Sequence, residues 1–238
     1  MSLHVPKSSF ATGLVTALPI AMGYFPIAFS FGVAATRAGL TEVEAVGLSL
    51  IIYAGAAQFL ALALITSGAP VLVAAFTLVA MNIRHVLYGP ALMKRVGAGA
   101  RRRYAWAWAF GLTDEVFGAA LGALARGKVA FSEPFMFGLG LGAYAAWVSG
   151  TALGAFAGGA ALEGWPVVDA ALGFMLPALF LALLLSILSR AQLPAIAVAV
   201  LATVGVTLLW SGTAGILAGM VAGAVAGVLR FGGKRDAG

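Results

Sequence analysis

Charge is scarce in this sequence. Asp, Glu, Lys and Arg make up 9% of its 238 residues, whereas a soluble domain carries about a quarter. A water-facing shell cannot be built from so few charges. Cysteine is absent, which excludes disulfides and thiolate metal sites, and two histidines are too few for a histidine-rich one. No metal or other cofactor is expected. The chain has no Gly-x4-Gly-Lys-Ser/Thr loop and no zinc-protease pattern, so ATP held by such a loop does not drive it. Ser30, Ser49 and Ser186 lack a suitably spaced base, and enzyme chemistry is not expected.

Apolar residues take the place of charge, at 62% of the chain. They fall in runs near 10–35, 45–66, 70–93, 104–125, 131–158, 168–189, 194–209 and 212–230. Hydrocarbon about 30 Å thick needs about 20 apolar residues per helical crossing. Backbone groups cannot be left unpaired against lipid, and the runs do not alternate as barrel strands do. The expectation is an all-α integral membrane protein, a polytopic helical bundle of about seven spans drawn from seven or eight hydrophobic segments. Residues 1–238 are read as one transmembrane domain. The first run reads as a span, because no small-residue cleavage site follows it.

The net charge of +6 comes from cations in short loops and at the C-terminus. Lys94, Arg95, Arg101, Arg102 and Arg103 mark a cytoplasmic loop, and Arg230, Lys234 and Arg235 want the same side. This is an anchoring pattern, and no nucleic-acid partner is expected. If the first three runs each cross once, the N-terminus lies outside. Seven crossings then leave 194–209 and 212–230 as one span plus a re-entrant or interfacial piece.

A faint echo between residues 59–64 and 180–185 suggests halves 10–93 and 131–230 about a linking helix 104–125. Gly150, Gly154 and Gly158, and then Gly215, Gly219, Gly223 and Gly227, recur every four residues. Such stripes let helix backbones approach, either within the chain or, at the C-terminal stripe, against a separate subunit.

Polar groups inside the runs are costly and mark function or pairing. Pro19, Gly23 and Pro26 predict a kinked or broken first helix, whose freed backbone groups near Gly23 and Pro26 would hold a zwitterion together with Gln58. Asn82 and His85 share one helical face, as do Arg84 and Tyr88. Asp114 and Glu115 sit mid-run, and adjacent carboxyls point different ways on a helix. Asn82 is read as a substrate contact; Arg84, His85, Asp114 and Glu115 are read as a proton-coupling set. The alternative is a static ion pair between Arg84 and the carboxyls that only holds helices together.

Four motifs in this order resemble the AzlC family. They are Pro19-x3-Gly23-x2-Pro26 with Phe31-Gly32; Tyr53-Ala54-Gly55-Ala56-Ala57-Gln58-Phe59; Asn82-x-Arg84-His85-x-Leu87-Tyr88-Gly89; and Thr113-Asp114-Glu115. The resemblance implies export of the branched-chain amino acids valine, leucine and isoleucine, jointly with a small hydrophobic AzlD-type subunit. Reading the residues alone reaches a proton-coupled secondary transporter, with a membrane scaffold or channel-like subunit as the rival.

Overall fold

The computed structural model describes residues 8–97, 103–127, 129–157 and 190–232, with isolated positions between 165 and 188. The described secondary structure is helical: α1 (Phe10–Arg37), α2 (Glu42–Ile51), α3 (Gly55–Thr66), α4 (Val71–Asn82), α5 (His85–Val96), α6 (Ala105–Ala109), α7 (Asp114–Ala125), α8 (Glu133–Ala157), α9 (Leu193–Leu209) and α10 (Gly212–Gly232). Four helical stretches among the described residues are long and apolar enough to cross a bilayer: Phe10–Arg37, Val71–Val96, Glu133–Ala157 and Gly212–Leu229. The chain is a polytopic helical membrane protein, as composition requires.

It divides into two compact units, Met1–Leu176 and Pro177–Gly238. The spine of the first is α1 packed in parallel along α8. A Cβ on Gly13 would run into the Phe135–Leu139 backbone, and one on Gly32 into that of Thr151–Ala155. From the other side, Gly138 and Gly154 lie against the carbonyls of Phe10 and Phe29. Small residues let the two backbones touch, which is the main way helices gain packing energy where lipid is as apolar as leucine. Below them, the Ser8 hydroxyl donates to the Ala130 carbonyl and the Ser132 hydroxyl to that of Ser8.

This spine corrects the expected break at Gly23 and Pro26. Pro19 and Pro26 leave the carbonyls of Val15 and Met22 without their helical partners, yet α1 is one helix of 28 residues. Contact with α8 on both sides of the prolines keeps the helix continuous. Gly23 is exposed, with open space where its side chain would be.

The breaks at which the chain turns back fall in the second and fourth runs, which contain no proline. α2 leaves the end of the spine where Ala45 packs with Ala35 and Ala155. It rises until Ser49 meets Thr151 and the Leu50 carbonyl meets the Tyr144 hydroxyl. The chain then turns at Ile52–Ala54, and α3 descends past Trp147 until Leu62 joins the starting cluster. A second hairpin enters from the opposite end. Glu133 accepts from the Tyr104 N–H and, more weakly, from the Trp108 indole, and Gly111 then reaches Gly140. After the turn α7 returns, so that Leu124 and Ala125 lie beside Arg95, Val96 and Phe131. Neither run forms a single helix of membrane-spanning length. Each folds back at the middle of α8, and the fourth run, expected as a linking helix, is the second hairpin. α4 and α5 form the third long element, running opposite to α1. The result is a span followed by a hairpin, twice, in opposite senses.

Orientation changes with this topology. Lys94, Arg95, Arg103 and Arg126 all belong to the end of the unit shared by Ser8 and Glu133, whereas Arg37, Glu42 and Glu44 belong to the other. By the positive-inside rule the first end is cytoplasmic. The N-terminal end of α1 is therefore inside, contrary to the outside placement that three simple crossings required. The second run turns back, so that condition fails.

In the second unit α9 and α10 pack antiparallel. Gly215 and Gly219 lie against Thr207 and Thr203, and Gly223 against Ala199. The C-terminal glycine stripe thus closes a pair within the chain; only Gly227 has open space around it. Gly158, Lys234, Arg235 and most of residues 180–185 lie outside the described residues.

Because the chain has no native cysteine, single-cysteine variants report topology cleanly. Ala38→Cys and Ser67→Cys should react with an impermeant maleimide on intact cells, whereas Ser9→Cys and Arg126→Cys should react only after permeabilisation. Filling the spine tests its weight: Gly154→Leu should cost about 1–3 kcal/mol by overpacking, seen as a lower melting temperature in detergent. Gly23→Ala should leave that temperature unchanged or raise it slightly, because Ala is the better helix former.

Candidate functional site

The two hairpin tips meet. At the first, Tyr53 takes φ of 40°, a left-handed conformation that costs a non-glycine residue on the order of 1–3 kcal/mol. Its ring packs edge-on to Tyr144 at 4.8 Å and tilted against Phe110, from the second tip, at 6.0 Å. The Tyr53 hydroxyl is buried without a hydrogen-bond partner among the described residues. A buried orphan of this kind costs about 1–3 kcal/mol and needs a reason. α3 begins two residues beyond, at Gly55, with no side-chain cap from Ala54. Among the described residues no side chain caps its first N–H groups, and Gly55 lies directly against the Trp147 indole.

The second tip is built differently. Thr113 caps α7, accepting from the Val116 N–H at 3.3 Å. Asp114 and Glu115 occupy the first turn, where negative charge complements the helix dipole. They are therefore not in the middle of a continuous helix, as the sequence suggested, but at the head of a half-helix near mid-membrane.

The two carboxyls diverge, as adjacency on a helix demands. Asp114 accepts a two-pronged grip from Arg84, Nε to Oδ1 at 3.1 Å and Nη2 to Oδ2 at 2.8 Å, and also a bond from the Tyr88 hydroxyl. Tyr88 in turn stacks on Phe117 at 4.6 Å. Arg84 sits at the interruption between α4 and α5, where its guanidinium also reaches the Met81 carbonyl at 3.5 Å. The pairing weighed as a structural alternative is present for Asp114. Glu115 points to the junction instead: it accepts from the Tyr24 hydroxyl, which also lies 2.6 Å from Thr113 Oγ1. Tyr53 lies within electrostatic reach of the same carboxylate. Tyr24 meets the Trp147 ring edge-on at 5.2 Å.

Behind Trp147 runs a buried polar chain. The indole Nε1 donates to Gln58 Oε1 at 2.7 Å, Gln58 Nε2 donates to Ser49 Oγ at 2.8 Å, and Ser49 Oγ lies 2.7 Å from Thr151 Oγ1. Gln58 is fully buried. Both ends of its amide are engaged with protein, the oxygen with the Trp147 indole and the nitrogen with Ser49. Asn82 turns back on its own helix, donating to the Leu78 carbonyl at 3.0 Å. His85 is half-buried and packs edge-on to Tyr88 at 5.3 Å.

Of the residues expected to act, the structure brings together Arg84, Asp114 and Glu115 and sets His85 beside them; Gln58 stands behind the junction, and Gly23 faces away. Tyr24, Tyr144 and Trp147 were not foreseen, and Tyr53 appeared only within a motif. The legible signal was an aromatic hydroxyl or indole at mid-run. An apolar cavity of about 230 Å³ adjoins the tips, lined by Phe110, Gly111, Gly140 and Tyr144 among others.

Long spans around two half-membrane hairpins, with open half-helix ends near mid-membrane, are the architecture of a membrane transporter. The comparisons agree. The profile described as AzlC protein matches residues 19–161. The inner membrane protein YgaZ of Escherichia coli (strain K12) is 44% identical over 89% of this chain and 86% of its own length. An uncharacterised membrane protein of Archaeoglobus fulgidus is 42% identical over 75% of this chain and 76% of its own. The branched-chain amino acid transport protein AzlC of Bacillus subtilis (strain 168) is 26% identical over 66% of this chain and 63% of its own. No solved structure matches. The chain belongs to the AzlC family of membrane transport proteins, and it is a multi-pass protein of the cell membrane.

Two tests separate support from pairing. Gln58→Leu strands the Trp147 indole N–H and Ser49, and should lower stability by about 1–3 kcal/mol per orphaned group in thermal unfolding. For the ion pair, Arg84→Met alone should lower the melting temperature more than Arg84→Met with Asp114→Leu, because the single change leaves an uncompensated carboxylate.

Proposed function

We propose that this chain is the transport subunit of a secondary exporter of branched-chain amino acids, coupled to protons and working with a small hydrophobic AzlD-type subunit. The observation that carries the reading is the junction of the hairpin tips, where a buried unpaired Tyr53 hydroxyl, the open start of α3 and the Glu115 carboxylate come together near mid-membrane. A small zwitterion needs groups of both signs at short range, and a half-helix N-terminus suits its carboxylate. The Bacillus subtilis relative's name supports the substrate class.

In this reading each hairpin closes one side of the junction. The first separates it from the outer end of the unit and the second from the basic, cytoplasmic end. Small shifts of either tip against α8, where Gly55 and Gly111 make the closest approaches, expose the site to one side at a time. Glu115 is the proton-exchanging element. Asp114, held by Arg84 and Tyr88, keeps the second hairpin in register with α5.

Cells preloaded with labelled valine and expressing this chain with a small AzlD-type partner should lose label faster than vector controls. Collapsing the proton gradient should remove most of that difference. Export equal to control under every pairing would overturn the reading, and valine counterflow indifferent to the gradient would remove the coupling.

A further inference from the structure

The junction distinguishes its two carboxylates by what surrounds them. Asp114 has a guanidinium and a phenol on its oxygens and needs nothing more. Among the described residues Glu115 has no cation beside it, and its only side-chain partner is the Tyr24 hydroxyl. A carboxylate at mid-membrane without a counter-ion costs several kcal/mol, and it is held there only if it takes a proton or meets a cation. Its neighbours are aromatic. Tyr24 bonds it, the Tyr24 ring edge meets Trp147, and Tyr53 brings a free hydroxyl within electrostatic reach. Trp147 is itself held by Gln58. An acid among aromatic rings, with a spare hydroxyl acceptor, suits a compact organic cation: charge pairing and ring faces both attract it.

We infer that Glu115 binds the ammonium group of the substrate, with Tyr24, Tyr53 and Trp147 as the walls of its site and the Tyr53 hydroxyl accepting one ammonium hydrogen. This rests on the reading of the chain as an amino-acid transporter and adds which end of the molecule is recognised, and where. It carries a consequence for coupling. A protonated Glu115 cannot pair with an ammonium, so proton and substrate compete for one carboxylate. The titratable and charged groups around it are Tyr24 from α1, Tyr53 from the first hairpin, with Tyr144 of α8 behind it, and Asp114 on α7 itself, whose charge is matched by Arg84 of the α4–α5 element. None of these supplies a competing cation at Glu115. Lowering pH should therefore weaken substrate binding by protonating Glu115.

The full-length chain in nanodiscs, titrated with valine, with isobutylamine (valine lacking its carboxylate) and with isovalerate (valine lacking its amine), reads this directly through Trp fluorescence. Valine and isobutylamine should both bind, and isovalerate should be at least about tenfold weaker than valine. Glu115→Gln, judged folded by gel filtration, should lose about tenfold or more for both amines and its pH dependence should flatten. Isovalerate binding as well as valine, or Glu115→Gln binding valine within about twofold of the native chain, would overturn the assignment while leaving an amino-acid transporter standing. Isobutylamine binding without valine binding would support the ammonium site and overturn the branched-chain substrate. If neither amine binds the folded native chain, the ammonium site is overturned as well.

Discussion

Everything in the first unit depends on the contact between α1 and α8. Gly13, Gly32, Gly138, Gly150 and Gly154 bring the two backbones to touching distance, and no other element could lie where it does without that spine. Both hairpins use α8 as their rail: the first descends past Trp147 and the second reaches Gly140. The midpoint of the rail, at Tyr144 and Trp147, is where both tips stop. The contact also explains why two prolines leave α1 unbroken, since close packing on either side compensates for two absent hydrogen bonds.

A helix that stops inside a membrane leaves backbone donors with no water to satisfy them. The protein meets this requirement unequally at its two tips. Thr113, Asp114 and Glu115 supply the second with a cap and with negative charge. The first has neither, only a tyrosine in a strained conformation whose hydroxyl is unmatched. In the function proposed above, the unmatched tip receives the ligand and the capped tip supplies the charge that selects it.

The polar residues then sort by what they touch. Gln58, Ser49 and Thr151 form a buried line that aims Trp147. Arg84 and Tyr88 neutralise Asp114 and tie α5 to the second hairpin. Glu115 turns instead toward the junction, where it accepts from the Tyr24 hydroxyl. Adjacent carboxyls that look equivalent in sequence are separated by the rotation of about 100° between neighbouring helix positions, which sends one to an arginine and the other to a tyrosine.

The sequence by itself determined the membrane, the helices, the basic face and the standing of Arg84, Asp114 and Glu115 as charged residues within apolar runs. Composition and run length leave no other solvent and no other secondary structure, and polar residues stand out against 62% apolar ones. The resemblance to AzlC was legible too, because it rests on local motifs. Only the tertiary structure decided that the second and fourth runs turn back. An apolar stretch of about 20 residues satisfies the length rule for a crossing whether or not it folds at its middle, and what folds these is contact with distant residues. The breaks at Tyr53 and at Phe110–Thr113 are stabilised by α8, some ninety residues from the first along the chain. Pro19 and Pro26 misled for the same reason: proline reports a local cost, and the packing of α1 on α8 outweighed it.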